Sequence, residues 1–401
     1  MTTTTRGDGA APRRRGDALP DAGPATAQLD VLLSGTVFFD IIFTDLPQDP
    51  APGTEVWAAG MGSCPGGVSN LAVAASRLGL STGLSACFGD DVYGRWCWDV
   101  LSAQEGIDLS RSRRVPGTHS PVTVSVATRG DRSMITHGHP APITVDELMG
   151  VPPPSRAVVT ELSPPDRSER PWWALAADAG SLVFADIGWD PSCSWDRATL
   201  DGLSSCHAFT PNQVEAMAYT RTRSAADALA VIAERVPLAV VTCGAHGSMA
   251  IDSSTGEQAQ VPQVDVTAMD PTGAGDVFAA GLVLGTLAGW PLADRLAFSA
   301  LCSALAVQQF GGSLAAPGWG DISDWWARTR STDADPRLVA RYGFLHYFLP
   351  TDPVDEVRRA EATLTLYSDL PRPLDTSTTG TPVSLPHAPH APHAHQREGR
   401  R

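Results

Sequence analysis

The chain has 401 residues, of which 43% are hydrophobic, and its formal net charge is −15. The length and apolar content suffice for one large domain or two average ones, and the acidity argues against nucleic acid or an anionic membrane as the main partner. All basic side chains are arginine. The absence of lysine excludes a phosphate-binding P-loop, which needs its lysine to contact the phosphates.

The sequence shows no signal for export or membrane insertion. The N-terminal segment carries charges but lacks the apolar stretch of a secretory signal, and the longest apolar run, residues 277–290, is shorter than the roughly 20 residues that span a bilayer. The seven cysteines are scattered and form no C-x-x-C pair, which is typical of reduced, buried thiols. We therefore expect a soluble cytoplasmic protein with no membrane partner.

The composition divides the chain into four parts. Residues 1–28 lack periodicity and are rich in Thr, Arg, Pro, Ala and Gly, so they are predicted to be a disordered arm. Residues 29–330 carry the regular patterns of a folded domain. Residues 331–375 are an extension of unknown role that is expected to pack against the core or a second subunit. Residues 376–401 are a low-complexity tail, also predicted to be disordered.

Within the predicted domain, short apolar runs alternate with helical patterns. This alternation predicts an α/β fold, in which a mostly parallel sheet is covered by helices on both faces. Strands are predicted at residues 29–35, 157–162, 181–187, 208–211 and 237–244. Helices are predicted at residues 69–79, 94–105, 170–179, 212–219, 224–235, 275–289 and 292–310. Two regions, 41–62 and 112–137, show β-type alternation with no helix between strands, which indicates a small separate sheet.

Two short strings stand out in the first half and the middle of this pattern. The string PGGVSN, residues 65–70, opens directly onto a helical pattern, which suggests a turn whose backbone something approaches closely. In FTPNQVE, residues 209–215, Thr210 and Gln213 are predicted to form a capping box around Pro211. Asn212 and Glu215 then lie three residues apart on one helical face. An amide and a carboxylate at this spacing can orient hydrated Mg²⁺ and phosphate oxygens.

Two further strings lie in the second half. VVTCGAHGS, residues 240–248, is a buried strand followed by two glycines, which form either a tight turn or a groove for the flat face of a nucleotide. In DPTGAGD, residues 270–276, the glycines precede a helix and leave backbone N–H groups unshielded, which favours an anion-binding nest. Asp276 is placed at the helix start, where the dipole is expected to keep it ionised and able to accept a hydroxyl proton.

Taken in order, these four strings resemble the PfkB family of carbohydrate kinases over about residues 29–328. The resemblance implies a ribokinase-like three-layer α/β sandwich with a mostly parallel central sheet and a small β-sheet lid. It also implies ATP-dependent phosphorylation of a sugar or nucleoside alcohol, with Mg²⁺. The two β-rich regions would be the lid, which closes over the acceptor and excludes water.

The resemblance also implies roles for individual residues. Asp276 would be the catalytic base, and Glu215, with Asn212, would govern Mg²⁺ through water. Other residues would form three binding sites: an anion hole (Gly273, Ala274, Gly275), a sugar site (Asp40 just after the first strand, Gly66, Gly67, Asn70) and an ATP site (Asn212, Thr242, Gly244, Gly247). The paired glycines would let a polyol lie against the backbone.

The sequence departs from the family in one string. An Asp-Pro-Asn-x-Arg sequence is common in the family after the middle strand, but here Asp186 begins a stretch without an arginine until Arg197. A contact to the phosphates is therefore missing or comes from elsewhere.

The acceptor and the oligomeric state stay open. A nucleoside acceptor is an alternative because one of four aromatic residues could stack on a base (Phe38, Phe39, Phe43, Trp57). A phosphosugar would need positive charge in the lid, for which five arginines are available (Arg111, Arg113, Arg114, Arg129, Arg132). A binding protein without catalysis is the alternative of a different class, and the intact Asp276 argues against it. A homodimer through the lid is a further expectation.

Overall fold

The computed structural model describes residues 28–44, 46–128, 131–162, 170–187, 192–331, 335–352, 354 and 357–360. Most of the predicted N-terminal arm and the whole predicted tail lie outside these residues. None of the helices in the described part of the chain is long and apolar enough to cross a membrane.

The strands follow the short apolar runs, because a strand covered on both faces of a sheet reads as a nearly continuous apolar segment. In chain order they are β1 (Leu29–Ser34), β2 (Val37–Thr44), β3 (Gly60–Gly67), β4 (Thr82–Ser85), β5 (Cys87–Gly89), β6 (Arg113–Val115), β7 (Val122–Thr128), β8 (Asp131–His137), β9 (Ser155–Glu161), β10 (Leu182–Asp186), β11 (Ala208–Phe209), β12 (Leu238–Thr242), β13 (Ser248–Asp252) and β14 (Glu257–Val261).

The main sheet confirms the predicted, mostly parallel arrangement. Over the described residues it has eight strands in the order β14-β13-β12-β11-β10-β9-β1-β4. Neighbours from β4 to β12 are parallel, and β13 and β14 add antiparallel hairpins at one edge. Because parallel strands end at the same edge, the loops after β9, β10, β11 and β12 meet there, which is where α/β proteins place their ligands.

The helices correspond to the predicted helical patterns and add three more. In chain order they are α1 (Ser69–Arg77), α2 (Val92–Asp99), α3 (Val145–Met149), α4 (Trp172–Asp178), α5 (Gln213–Thr220), α6 (Ala225–Ala233), α7 (Ala274–Leu287), α8 (Leu292–Ala306), α9 (Trp319–Thr329) and α10 (Pro336–Tyr342). A π-helical turn, Val100–Gln104, continues α2.

Two hydrophobic cores, one on each face of the main sheet, make the three layers. Alternate residues of a strand point to opposite faces, so Val31 and Leu33 of β1 pack with α1, α7 and α8, whereas Leu32 packs with α4, α5 and α6. The chain therefore forms a three-layer α/β sandwich, as the resemblance implied.

A second sheet is the predicted small one, with different boundaries. In the described part of the chain it has four strands in the order β3-β2-β7-β8. The sheet starts at Val37 rather than at residue 41. Residues 46–59 form turns and bends instead of a strand. Residues 113–115 pair with β5 and are not part of this sheet. The string PGG is the end of β3 rather than a turn, because pairing with β2 outweighs the low strand propensity of glycine and proline. We call this sheet the lid.

The segment after α9 packs on the main body. Tyr342 of α10 is fully buried, and its ring lies 4.8 Å from that of Trp325. The ring of Phe348 lies 4.5 Å from that of Trp290, which precedes α8. This part of the predicted extension therefore contributes to the first core.

Candidate active site

The starts of two helices meet at the carboxyl edge of the main sheet. Asn70 lies in the first turn of α1, and its Nδ2 donates a hydrogen bond of 3.0 Å to Oδ2 of Asp276 in the first turn of α7. Gly273 allows this approach, because its φ is 75° and a Cβ there would lie 3.2 Å from Cγ of Asn70. The structure therefore brings residues 276 and 70, to which the resemblance assigns different roles, into direct contact.

The carboxyl group of Asp276 has a raised pKa of about 6. Removal from water is the main cause, the hydrogen bond from Asn70 opposes it, and repulsion by Glu161 adds to it. The expectation that the helix dipole keeps Asp276 ionised therefore holds only above about pH 6, because desolvation exceeds the dipole effect.

Three more carboxyl groups surround this position. Glu161 ends β9, Asp186 ends β10 and Glu215 lies in the first turn of α5. Burial and the nearby charges of Asp276, Glu215 and Glu161 hold the pKa of Asp186 well above its usual value, and burial raises that of Glu215. The sequence analysis did not select Glu161, although a carboxylate at the end of a buried strand was the available signal.

The pair Asn212 and Glu215 forms the helix cap itself. Oδ1 of Asn212 accepts hydrogen bonds from the backbone N–H groups of Val214 and Glu215, at 2.9 and 3.0 Å. Oε2 of Glu215 accepts one from the N–H of Asn212, at 3.0 Å. The prediction of a capping box between Thr210 and Gln213 is therefore wrong by two residues, because the stronger cap, asparagine with glutamate, starts the helix later.

A cavity of about 410 Å³ lies beside the start of α7. Thr242, Gly244 and Gly247 line it, as predicted for the nucleotide site, and so do Ala274 and Gly275 of the predicted anion hole. A Cβ on Gly247 would lie only 2.0 Å from the carbonyl oxygen of Val261, so contact with the chain itself already requires this glycine.

The predicted anion hole is only partly free of internal bonds. The N–H of Ala274 donates to the carbonyl oxygen of Pro271, at 3.2 Å. Gly275 is exposed and has open space where a Cβ would lie. The helix N-terminus therefore presents its backbone to the cavity at Gly275.

On the other side of Asp276 lies the predicted sugar site. Asp40 is buried inside β2 rather than just after β1, and it pairs with Cys64 of β3. A Cβ on Gly66 would lie 2.0 Å from Oδ2 of Asp40, and one on Gly67 would lie 2.3 Å from the carbonyl oxygen of Thr36. The paired glycines thus make room for Asp40 and the backbone. This corrects the expectation that they make room for the ligand directly.

Asn70 also offers a polar atom to a ligand. Its Oδ1 is buried, and among the described residues it has no hydrogen-bond partner. Since a buried polar atom without a partner costs free energy, a hydroxyl from a bound molecule would stabilise it.

Three of the five arginines considered for a phosphosugar, Arg111, Arg113 and Arg114, lie outside the lid sheet. Arg111 donates to the carbonyl oxygen of Met149, at 3.4 Å, and Arg113 and Arg114 are exposed on β6, outside the lid sheet. Arg129 and the side chain of Arg132 lie outside the described residues, as do the residues 188–191 of the departing string.

The carboxylates near Asp276 offer oxygen ligands of the kind that a hydrated divalent cation uses. Hard cations such as Mg²⁺ bind oxygen ligands and keep several waters in phosphate-transfer sites. Asp186, which lies near both Asp276 and Glu215, supplies carboxylate oxygens, and so does Glu215. Among the described residues, no group of three or more His, Cys, Asp or Glu side chains is arranged to hold a metal ion.

Comparisons with known proteins found similar sugar and riboside kinases. The chain is 29% identical over 281 residues to fructokinase of Klebsiella pneumoniae, covering 65% of this chain and 91% of that protein. It is 27% identical over 279 residues to aminoimidazole riboside kinase of Salmonella typhimurium, covering 63% and 85%. The structure of Arabidopsis thaliana ribokinase complexed with ribose and ATP superposes with a TM-score of 0.57 at 20% identity, covering 74% and 98%.

The family model "pfkB family carbohydrate kinase" matches residues 35–318, which is most of the chain. The match spans both predicted glycine clusters, the capped helix α5 and the cavity beside α7. The chain therefore belongs to the pfkB family of carbohydrate kinases, which are ATP-dependent phosphotransferases.

Proposed function

We propose that this protein transfers the γ-phosphoryl group of ATP to a hydroxyl of a small, unphosphorylated sugar, with Asp276 as the general base. One observation carries the proposal. Asp276 lies between the 410 Å³ cavity, which reaches Ala274 and Gly275, and Asn70, whose Nδ2 it contacts at 3.0 Å. A carboxylate in this place can reach an alcohol on one side and a phosphate chain on the other.

The steps follow from these positions. The acceptor hydroxyl, oriented by Asn70 and Asp40, gives its proton to the carboxylate of Asp276 as its oxygen attacks the γ-phosphorus. The new O–P bond forms while the bond from that phosphorus to the β–γ bridging oxygen breaks, and ADP leaves with the electron pair. A pKa of about 6 suits a base that works near neutral pH, where it is mostly ionised.

The start of α7 stabilises the charge on the transferring group. The N–H groups of Gly273 and Gly275 and the helix dipole would provide partial positive charge where the phosphoryl oxygens would lie. Asn212 and Glu215 would orient the waters of Mg²⁺, which when bound neutralises phosphate charge. Neutralisation matters because the surrounding carboxylates repel a polyanion.

The charge of the acceptor side favours an unphosphorylated sugar. Asp40, Glu161 and Asp276 carry carboxyl groups there, and Arg111, Arg113 and Arg114 lie outside the lid sheet. An additional phosphate on the acceptor would be repelled without compensation from these arginines.

A nucleoside acceptor is the second candidate, and the similarity to an aminoimidazole riboside kinase favours keeping it. Of the aromatic residues considered for stacking, Phe39 is buried against Tyr93 and Trp96, at 4.7 and 5.2 Å between ring centroids. Stacking on a base would fall to the less buried Phe38 or Phe43 or to the exposed Trp57.

The lid also supports the proposal of a homodimer. Ile135 on the edge strand β8 is 73% exposed, and Trp57 is 79% exposed. An exposed edge strand with apolar side chains is a template for pairing with another copy. Light scattering of the wild type and of Ile135→Ser tests this, since a dimer that persists in the variant or a monomeric wild type contradicts it.

An ADP-release assay over unphosphorylated sugars, nucleosides and sugar phosphates tests the proposed reaction. We expect ATP-dependent turnover that is highest on an unphosphorylated sugar. Highest turnover on a nucleoside supports the second candidate, and highest turnover on a sugar phosphate contradicts the argument from charge. No turnover on any acceptor, with ATP bound, supports a binding protein without catalysis.

A further inference from the structure

The C-terminal segment at residues 357–360 lies across the side of the protein that carries the acceptor site. We call these residues the strap, and we call residues 310–316 the glycine loop. The family model ends at residue 318, so the strap lies beyond the matched region. Nevertheless its residues are bound to the main body by hydrogen bonds, an ion pair and apolar contacts.

Two arginines fasten the strap to the glycine loop. Arg359 of the strap donates hydrogen bonds to the carbonyl oxygens of Ala315 and Ala316, at 3.2 and 3.3 Å, and forms an ion pair with Asp321 of α9. Arg77, at the end of α1, donates to the carbonyl oxygens of Ala316 and Arg358, at 2.7 and 2.6 Å. The side chain of Arg77 is only 3% exposed, because it also pairs with Glu105 at 2.8 Å.

The strap also touches the lid. Ala360 is 3% exposed, and its Cβ would lie 3.3 Å from a Cβ placed on Gly62 of β3. Gly62 is on the strand whose far end carries Gly66 and Gly67. A displacement of the strap would therefore remove the packing partner of the strand that carries the paired glycines.

The glycine loop connects these contacts to the acceptor site. Sγ of Cys64 donates to the carbonyl oxygen of Gly311, at 3.4 Å, and Oγ of Ser313 donates to the carbonyl oxygen of Pro65. A Cβ on Gly312 would lie 3.4 Å from Oδ1 of Asn70 and 3.9 Å from Oδ2 of Asp40. The loop thus packs directly behind the two side chains that face the acceptor.

We propose that Arg359 is a positioning residue of this kinase: through the glycine loop and β3 it holds Asp40 and Asn70 in place for the acceptor. The expected effect of Arg359 on kinetics rests on the proposed function. Its expected effect on the order of the glycine loop and β3 rests only on the contacts described above. Arg359 does not line the nucleotide cavity, and its hydrogen bonds and ion pair go to the glycine loop and α9. Its loss is therefore expected to change acceptor binding and to spare the nucleotide cavity, whose lining residues lie on other segments.

Arg359→Ala and Arg359→Lys, in the full chain, test the proposal. For Arg359→Ala we expect a rise of roughly tenfold in KM for the acceptor and a change of less than about twofold in KM for ATP, because charged hydrogen bonds to the loop are lost. Arg359→Lys keeps the charge near Asp321 but not the planar fork, and it should recover part of the acceptor affinity. Arg330→Ala, an exposed arginine at the end of α9, is the matched control and should change neither constant.

Hydrogen exchange separates a failure of the strap from a failure of the proposed function. In Arg359→Ala, amides of residues 60–67 and 310–316 should exchange faster than in the wild type, whether or not any acceptor is phosphorylated. If Arg359→Ala does not fold, Gly318→Ala serves as the test variant instead. The new Cβ at residue 318 would lie 2.6 Å from Cγ1 of Val357 and would displace the strap. Unchanged exchange in these two segments, or equal rises in both KM values, would overturn the proposal.

Discussion

The two sides of Asp276 are built in different ways. The nucleotide side is a cavity lined by Thr242, Gly244 and Gly247, which follow one another in a single strand-turn unit, and by the start of α7. The acceptor side combines β2, β3 and α1 with the glycine loop and the strap, which lie far later in the chain. Local glycine strings therefore reveal the first side, whereas the second depends on long-range packing.

This difference has a functional meaning. A nucleotide is common to all members of a kinase family, so its site can be built from short backbone motifs. The acceptor differs between members, and a site made of several independent segments can change one segment at a time. Variants on the two sides should accordingly affect KM for ATP and KM for the acceptor separately.

The largest effect is expected at Asp276, which lies between the nucleotide side and the acceptor side. Asp276→Asn should lower turnover by at least about a hundredfold, because the amide cannot accept the acceptor proton. ATP and acceptor affinities, measured by equilibrium binding, should change little. Glu234→Gln, at the exposed end of α6, is the control. Undiminished turnover in Asp276→Asn would remove this residue from its role.

Gly66→Ala should break the acceptor side alone. The added Cβ would lie 2.0 Å from Oδ2 of Asp40, so that carboxylate must move. We expect KM for the acceptor to rise by about ten- to a hundredfold, since small misplacements of positioning groups have large effects. Steady-state kinetics with each substrate varied in turn measures this. Gly343→Ala has no atom within 4 Å of the new Cβ and is the control; a matching rise in KM for ATP would contradict the separation.

Gly247→Ala should disturb the nucleotide side alone. Its φ is 95°, and the new Cβ would lie 2.0 Å from the carbonyl oxygen of Val261. We expect KM for ATP to rise by roughly tenfold, with KM for the acceptor unchanged. Gly256→Ala also has a positive φ, 77°, but open space around the Cβ, so it separates backbone strain from damage to the cavity. Equal effects of the two variants would refute this prediction.

The smallest effect concerns pH. Asp276 must be ionised to act as a base, so kcat/KM should fall as the pH drops below about 6. Asn70→Ser removes the hydrogen bond that lowers the pKa of Asp276, so the fall in kcat/KM should begin at a higher pH. The pH at which kcat/KM falls, rather than the height of the profile, is the readout. If kcat/KM falls at the same or a lower pH in Asn70→Ser than in the wild type, Asn70 does not lower the pKa of Asp276.

Helix starts were largely predictable because their signals are local. Gly273 and Asp276 mark the start of α7, and asparagine with glutamate marks the start of α5, although the sequence analysis assigned that cap to Thr210 and Gln213. Capping depends on residues within one turn of each other, so the correct residues were present in the string. The error was a choice between two adjacent candidates.

The acceptor side was less predictable because the contacts that shape it join residues that are distant in sequence. The sequence gives no sign that Gly66 makes room for Asp40, or that Gly312 approaches Cys64 and Asn70. Nor does any local pattern connect Arg359 with the carbonyl oxygens of Ala315 and Ala316. These contacts depend on strand register and loop path, which are set when the sheet and the lid assemble.

By itself, the sequence determined the α/β class, the order of the main strands and helices along the chain, the family and the start of α7. Periodicity and capping act over a few residues, and the family strings are short and contiguous. Only the tertiary structure decided the lid boundaries, the raised pKa of Asp276 and the role of the paired glycines. Burial, charge repulsion and close backbone approach are properties of segments that meet in space, and no window of the sequence contains both partners.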